Sequence, residues 1–221
     1  MSLLFPLNSQ TPYYVILGNG DYPSRQLTKT LLLSADKIIC ADGGANYAFR
    51  NDITPNLIIG DLDSIKDEAL NYFIQKNTRI IKAESQQQND LEKTLREVSK
   101  MSCEQIVMLG FMGKRDDQSI VTLQIAKKFI KKFQTTIYST VSEIMLLQPG
   151  SYSLKSLLGS QISLLGFPRA YEVSTTGLKW GLNHEILSEG SRGISNRAET
   201  NEIRIRFTKG LLLIVRDLST V

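Results

Sequence analysis

Cysteine and histidine are scarce, with two of the first and one of the second in 221 residues. Cys40 ends an apolar run (KIIC) and Cys103 sits in a polar connection. Neither a disulfide framework nor the paired spacing of a zinc site is present, and a reducing cytoplasm is the expected compartment. The lone His184 excludes multi-histidine metal sites and leaves a Ser/His/Asp mechanism without a nearby nucleophile motif. No run approaches the roughly 18 apolar residues of a membrane-spanning helix. The opening MSLLFPLNSQ lacks a basic n-region and Pro6 breaks its apolar stretch, so no signal peptide and no membrane association are expected. Strong charge of one sign is missing too: 26 Lys and Arg against 22 Asp and Glu leave a net +4. That mild, scattered excess gives no reason to expect a nucleic-acid partner and suits a soluble protein handling small anionic substrates.

What is present has two grammars. The 42% of hydrophobic residues suffices for one large domain or two modest ones. From residue 13 to about 140, short apolar runs (YYVIL, KIICA, NLIIG, TRIIKA, QIVMLG, TTIYST) read as buried strands. Between them lie stretches with helical apolar spacing, such as Leu91, Leu95 and Val98, or Ile120, Leu123, Ile125 and Ile130. Alternating strand and helix predicts a mostly parallel α/β sheet covered on both faces. Beyond residue 140 the strand-like runs EIMLLQ, QISLLGF, AYEVSTT, EIRIRF and LLLIVRD are separated by Gly, Ser, Pro and Asn. They predict an antiparallel β-sandwich. The expected domains are therefore 1–140 and 141–221.

The aspartates of the first half follow its strands. Asp42 comes after KIICA, Asp61 and Asp63 after NLIIG, Asp90 after TRIIKA, and Asp116 and Asp117 with Arg115 after QIVMLG. In an open parallel sheet ligands bind beyond the C-terminal strand ends, so these acids are expected on one rim. Crowded carboxylates raise one another's pKa unless a cation neutralises them, and magnesium, which prefers oxygen ligands, fits. In GDLDS, Asp61 and Asp63 are two apart and would share an ion if the segment were extended. The other explanation makes them loop and N-cap residues before a helix near Lys66.

Glycines follow the same strands. Gly18 and Gly20 precede a helix near Ser24, and Gly43 and Gly44 stand at the next strand-to-helix junction, where bare backbone can approach phosphate. In GFMGKRDDQ, Gly110 and Gly113 free the backbone while Lys114 and Arg115 offer cations. Arg115 has two readings, stabilising a transferring phosphoryl group or pairing with its neighbouring acids. In NDLEKTL, Asn89 and Glu92 form a capping box, whereas Asp90 and Lys93 share a helix face and are free to serve a phosphate and metal site.

In order and spacing, ADGGAN, PNLIIGDLDS, NDLEK and GKRDDQ resemble the thiamine pyrophosphokinases, and GLKW with ISN resembles that family's substrate-binding end. The resemblance implies an α/β nucleotide-binding domain followed by a β-sandwich, a homodimer with thiamine bound where the chains meet, and Mg²⁺ with ATP as co-substrate. It implies that Asp42, Asp61, Asp63 and Asp90 hold metal, and that Asp61, Asp63, Asp90 and Asp117 act in catalysis with Lys93 and Arg115. Gly18, Asp42, Gly43, Lys93 and Arg115 would face the nucleotide, and Gln86, Trp180, Ser195 and Asn196 the thiamine. The chain departs from the family pattern at Gln87, Asn89, Gln118 and Lys114, the last standing where a glycine is usual, and ISN replaces a longer Ser-Thr-Ser-Asn. Every aspartate of the acidic cluster is retained. The implied reaction gives thiamine diphosphate and AMP. The alternatives are a pyrophosphokinase for another heterocyclic alcohol, such as a pterin, or a non-catalytic thiamine diphosphate binder.

Overall fold

A computed structural model describes residues 12–83 and 87–218. The chain divides into two compact units, with the boundary between Thr140 and Val141. In the N-terminal one, among the described residues, six strands alternate with five helices. The strands are β1 (Tyr13–Leu17), β2 (Lys37–Ala41), β3 (Leu57–Gly60), β4 (Arg79–Lys82), β5 (Gln105–Leu109) and β6 (Gln134–Tyr138). They pair in the order β4-β3-β2-β1-β5-β6, and every pairing is parallel. β1, β3 and β5 are buried along their whole length, the pattern of strands covered on both faces. β4, at one edge, exposes Arg79 and Lys82, and such charge discourages further strand pairing.

The order matters for function. Three successive connections lead from β1 outward to β4, and the chain then returns to place β5 on the other side of β1. The order therefore reverses between β1 and β5, and the strand ends at such a switch point are the natural ligand site of an open parallel sheet.

The helices are α1 (Arg25–Leu33), α2 (Gly44–Arg50), α3 (Asp67–Gln75), α4 (Asp90–Val98) and α5 (Asp116–Lys128). Ser24 caps α1 by accepting from the Leu27 N–H, and Asn89 caps α4 by accepting from Glu92. Only half of the expected capping box forms, because Glu92 turns to Lys128 at 2.6 Å and Gln88 at 3.0 Å. The α4 stripe of Leu91, Leu95 and Val98 is buried as its spacing predicts. On α5 the expected stripe fails at Ile120, which is 59% exposed, while Thr122, Ile125 and Ala126 are buried. Ile120 and Ile125 are five positions apart in sequence, which places them about 140° apart around the helix. Among the described residues no helix is long and apolar enough to cross a membrane.

The second unit is antiparallel. Its strands are β7 (Ser142–Leu147), β8 (Gly150–Lys155), β9 (Gln161–Thr176), β10 (Glu185–Leu187), β11 (Asn196–Arg197), β12 (Glu202–Phe207) and β13 (Lys209–Asp217). QISLLGF and AYEVSTT, two runs in the sequence, are one sixteen-residue strand. β9 pairs with β13 along residues 162–171 and with β12 at 174–176, and β10 and β11 pair with it as well, so it takes part in four ladders. Residues of several of these strands, among them Leu147 of β7, Leu164 of β9, Ile205 of β12 and Ile214 of β13, join one buried cluster. Cys40 and Cys103 are free thiols.

One close approach fixes the junction of β2 and α2 against β1. A Cβ on Gly44 would lie 2.1 Å from the Leu17 carbonyl oxygen, a backbone atom that cannot step aside. Gly44→Ala is expected to lower unfolding free energy by at least about 2 kcal/mol in denaturant titrations. Gly181→Ala serves as the control, since its nearest neighbour would be 3.7 Å away; an equal effect of the two would refute the steric argument.

Candidate active site

Asp42 ends β2 and is 2% exposed, with φ +39. Its Oδ1 accepts the Leu62 N–H at 2.9 Å and its Oδ2 the Ser64 N–H at 3.2 Å, so a buried carboxylate organises the loop after β3. Gly60 makes room for it, since a Cβ there would stand 2.5 Å from that of Asp42. Burial, and after it the charge of Asp90, push the Asp42 carboxyl above its ordinary pKa, partly offset by Ser64 and Leu62.

Asp61 leaves β3 and Asp90 opens α4. One carboxylate oxygen from each lies with one from Asp42 in a group no more than 4.8 Å across. Lys93, a turn after Asp90 and buried, donates from Nζ to Asp61 Oδ2 at 2.9 Å and to Asp90 Oδ1 at 3.0 Å. The Lys93 bond holds the Asp61 carboxyl below the usual carboxylate range. Burial alone would lower the pKa of Lys93, but Asp61 and Asp90 together outweigh it and raise that pKa. Three carboxylates face one ammonium, and the excess negative charge with an all-oxygen donor set is suited to a hard divalent cation.

Asp63 does not join the group. Leu62 has φ +73, so the segment is turned rather than extended, and the rule that residues two apart share a face does not hold. Asp63 is exposed, accepts the Ser64 hydroxyl at 2.9 Å, and donates its N–H to Asp61 Oδ1 at 3.4 Å. Asp117 also stands apart. Arg115 clasps it through two bonds, Nε to Oδ1 at 3.1 Å and Nη2 to Oδ2 at 2.5 Å, on an exposed surface. The pair raises the Arg115 pKa and lowers that of Asp117. Of the two readings for Arg115, pairing with a neighbouring acid is the one this geometry adopts.

Beside the acids a cleft of about 340 Å³ opens at the strand ends, lined by Gly18, Gly20, Asp42, Gly43, Asp90 and Gly110 together with Lys114 and Arg115. Its walls are the loops after β1 and β5, joined by main-chain bonds from Gly18 to Leu109 at 2.8 Å and from Asp21 to Met112 at 2.9 Å. Asn46, the last residue of ADGGAN and given no role by the sequence reading, is buried on α2. It donates to Ser64 O at 2.7 Å and accepts from Lys66 N at 2.9 Å, which clamps the acidic loop. Its signal is a polar residue inside GGANYAF, where small and apolar residues otherwise face the sheet.

In the second unit, Asn196 is 1% exposed and brackets the backbone of Trp180, accepting its N–H at 3.0 Å and donating to its carbonyl at 2.7 Å. Ser195, exposed and at φ +53, donates its N–H to Ser163 Oγ at 3.0 Å. Trp180 is 48% exposed and carries the Lys179 ammonium 4.9 Å from its ring centroid. Asn196 and Trp180 are thus brought together through the Trp180 backbone, while the Ser195 N–H bonds to Ser163. Gln86 lies outside the described residues.

Comparison with known proteins agrees with the two-unit organisation. Residues 28–139 match the model of the thiamin pyrophosphokinase catalytic domain, and residues 152–212 that of the thiamin pyrophosphokinase vitamin B1 binding domain. Thiamine pyrophosphokinase 1 of Arabidopsis thaliana is 28% identical, across 91% of this chain and 85% of the relative. Thiamine pyrophosphokinase 2 of the same plant is 27% identical across 96% and 89%. The crystal structure of thiamine pyrophosphokinase from Bacillus subtilis shares the fold, with a TM-score of 0.82 at 22% identity over 94% of this chain and 99% of that one. Yeast thiamin pyrophosphokinase has a TM-score of 0.82 at 20% identity over 100% and 91%. With both domain models matched in sequence order over most of its length, the chain belongs to the thiamin pyrophosphokinase family.

Proposed function

We propose that this enzyme forms thiamine diphosphate by moving a diphosphate from ATP to the hydroxyl of thiamine, with the chemistry at the acid cluster of the N-terminal unit. The carrying observation is the convergence of Asp42, Asp61 and Asp90 around Lys93 beside a glycine-walled cleft. The pterin and pure-binder alternatives are not favoured, since both matched models describe thiamin pyrophosphokinase domains.

In this reading the triphosphate lies in the cleft, against the bare backbone at Gly18 and Gly43 and the cations Lys93 and Arg115. Asp42, Asp61 and Asp90 are the residues to hold Mg²⁺, which when bound supplies charge neutralisation of the phosphates and polarisation of the one under attack. The thiamine oxygen forms a bond to the β-phosphorus as the bond from that phosphorus to the AMP oxygen breaks, and Asp90 accepts the hydroxyl proton. Lys93 holds Asp61 and Asp90 in place through one bond to each and keeps the Asp61 carboxyl ionised, so the rate gain rests on alignment and preset charge. Asp117 acts through Arg115, by fixing the guanidinium. Asp63, at the exposed edge of the loop, contributes less than Asp61. The C-terminal unit, as a β-sandwich, supplies Trp180, Ser195 and Asn196 to the thiamine, joined by Gln86. The enzyme works as a homodimer in the cytoplasm.

Three outcomes are expected. Incubation with ATP, magnesium and thiamine releases AMP, and stoichiometric ADP on chromatography would exclude transfer of the diphosphate as a unit. Asp61→Asn keeps shape and removes charge, and should lower kcat by about 10²-fold. Asp63→Asn should lower it less, and steady-state kinetics at saturating magnesium tests that ranking. Trp180 is the one tryptophan in the chain, so thiamine should shift or quench intrinsic fluorescence saturably. Trp180→Ala should raise the KM for thiamine by the equivalent of about 1–2 kcal/mol. Unchanged emission at saturating thiamine would remove Trp180 from the pocket.

A further inference from the structure

The two cations on the loop after β5 have different partners. Arg115 pairs with Asp117 along one edge of its guanidinium, through Nε and Nη2. Lys114 reaches across the cleft instead, and its Nζ donates to the main-chain carbonyl of Asn19 at 2.7 Å. Among the described residues no carboxylate pairs with Lys114, although it lines the same cleft as Asp42 and Asp90. An ammonium has three donors, and one carbonyl engages a single one of them.

The backbone adds a second observation. Lys114 has φ +55, in the left-handed region that disfavours a residue with a side chain. Residues held in this region cluster where the surrounding structure needs a side chain aimed in a particular direction. Here the surroundings are rigid: Asn19, which receives the ammonium, sits between Gly18 and Gly20, and their N–H groups are bonded to Leu109 at 2.8 Å and Gly110 at 2.5 Å. The strained backbone therefore presents a cation with spare donors at a wall already fixed by main-chain bonds.

We propose that Lys114 is a phosphate-binding cation of this cleft, one that holds the triphosphate of ATP in register with the carboxylate cluster and takes no part in bond making. The proposal rests on the cleft being the ATP site. A compact ammonium on a flexible stem suits a polyanion bound by charge rather than by a fixed fork. The Asn19 carbonyl holds it over the cleft between turnovers.

Calorimetric titration with ATP and magnesium, together with steady-state kinetics, tests this on Lys114→Met, Lys114→Arg and Lys114→Gly in the full chain. Lys114→Met should weaken ATP binding and raise its KM about tenfold, with kcat and the KM for thiamine changed by less than about twofold. The dependence of the ATP KM on ionic strength should flatten, an effect that a packing role would not produce. Lys114→Arg should recover most of the affinity. Lys114→Gly relieves the backbone, so it should melt no lower than the parent while losing as much ATP affinity as Lys114→Met. If the parent binds ATP and Lys114→Met binds it equally well, the assignment of Lys114 falls and the cleft remains the nucleotide site. If the parent binds no ATP, both fall.

Discussion

The site depends on one ammonium. Asp61 and Asp90 arrive from different elements, at the end of β3 and the start of α4, and their like charges would repel without Lys93 between them. Lys93 is buried, and burial by itself lowers the pKa of its ammonium; two carboxylates outweigh that burial and raise it. Asp61 and the Lys93 ammonium thus favour one another's charged forms. Asp42 lies deeper, and besides giving an oxygen to the group it anchors the backbone of the loop that carries Asp61.

The sheet decides where this charge sits. Because the order turns back at β1, the loops after β1 and β5 face each other, and their glycines let main chain lie close enough to bond across the gap. Charge gathered at the end of β3 and the start of α4 then adjoins a concave wall of nearly bare backbone. A polyanion carrying a divalent ion needs both surfaces, oxygen ligands for the metal and N–H groups or cations for the phosphate.

Much of the fold was legible along the chain. Six apolar runs named the six parallel strands, since strands buried on both faces are continuous apolar segments that stand out locally. The antiparallel half was harder. β8, with Gly150, Ser151 and Ser153, reads as a loop, and the break at Gly166 to Arg169 disguises β9 as two strands. On α5, Ile120 was assigned to the core on spacing, yet it is exposed, because the helix turns Thr122 and Ala126 inward in its place.

At the site, the sequence by itself determined the cast. Acids and glycines follow strand ends, Asn89 caps α4, and Asp90 with Lys93 share a face, all consequences of periodicity within a few residues. Only the tertiary structure decided which of them meet. A positive φ at Leu62 separates Asp63 from Asp61, Arg115 closes on Asp117, and Asn46 clamps a loop eighteen positions away. These outcomes rest on backbone turns and on the order of strands in the sheet, which local pattern does not encode, because they are settled by packing between segments far apart in the chain.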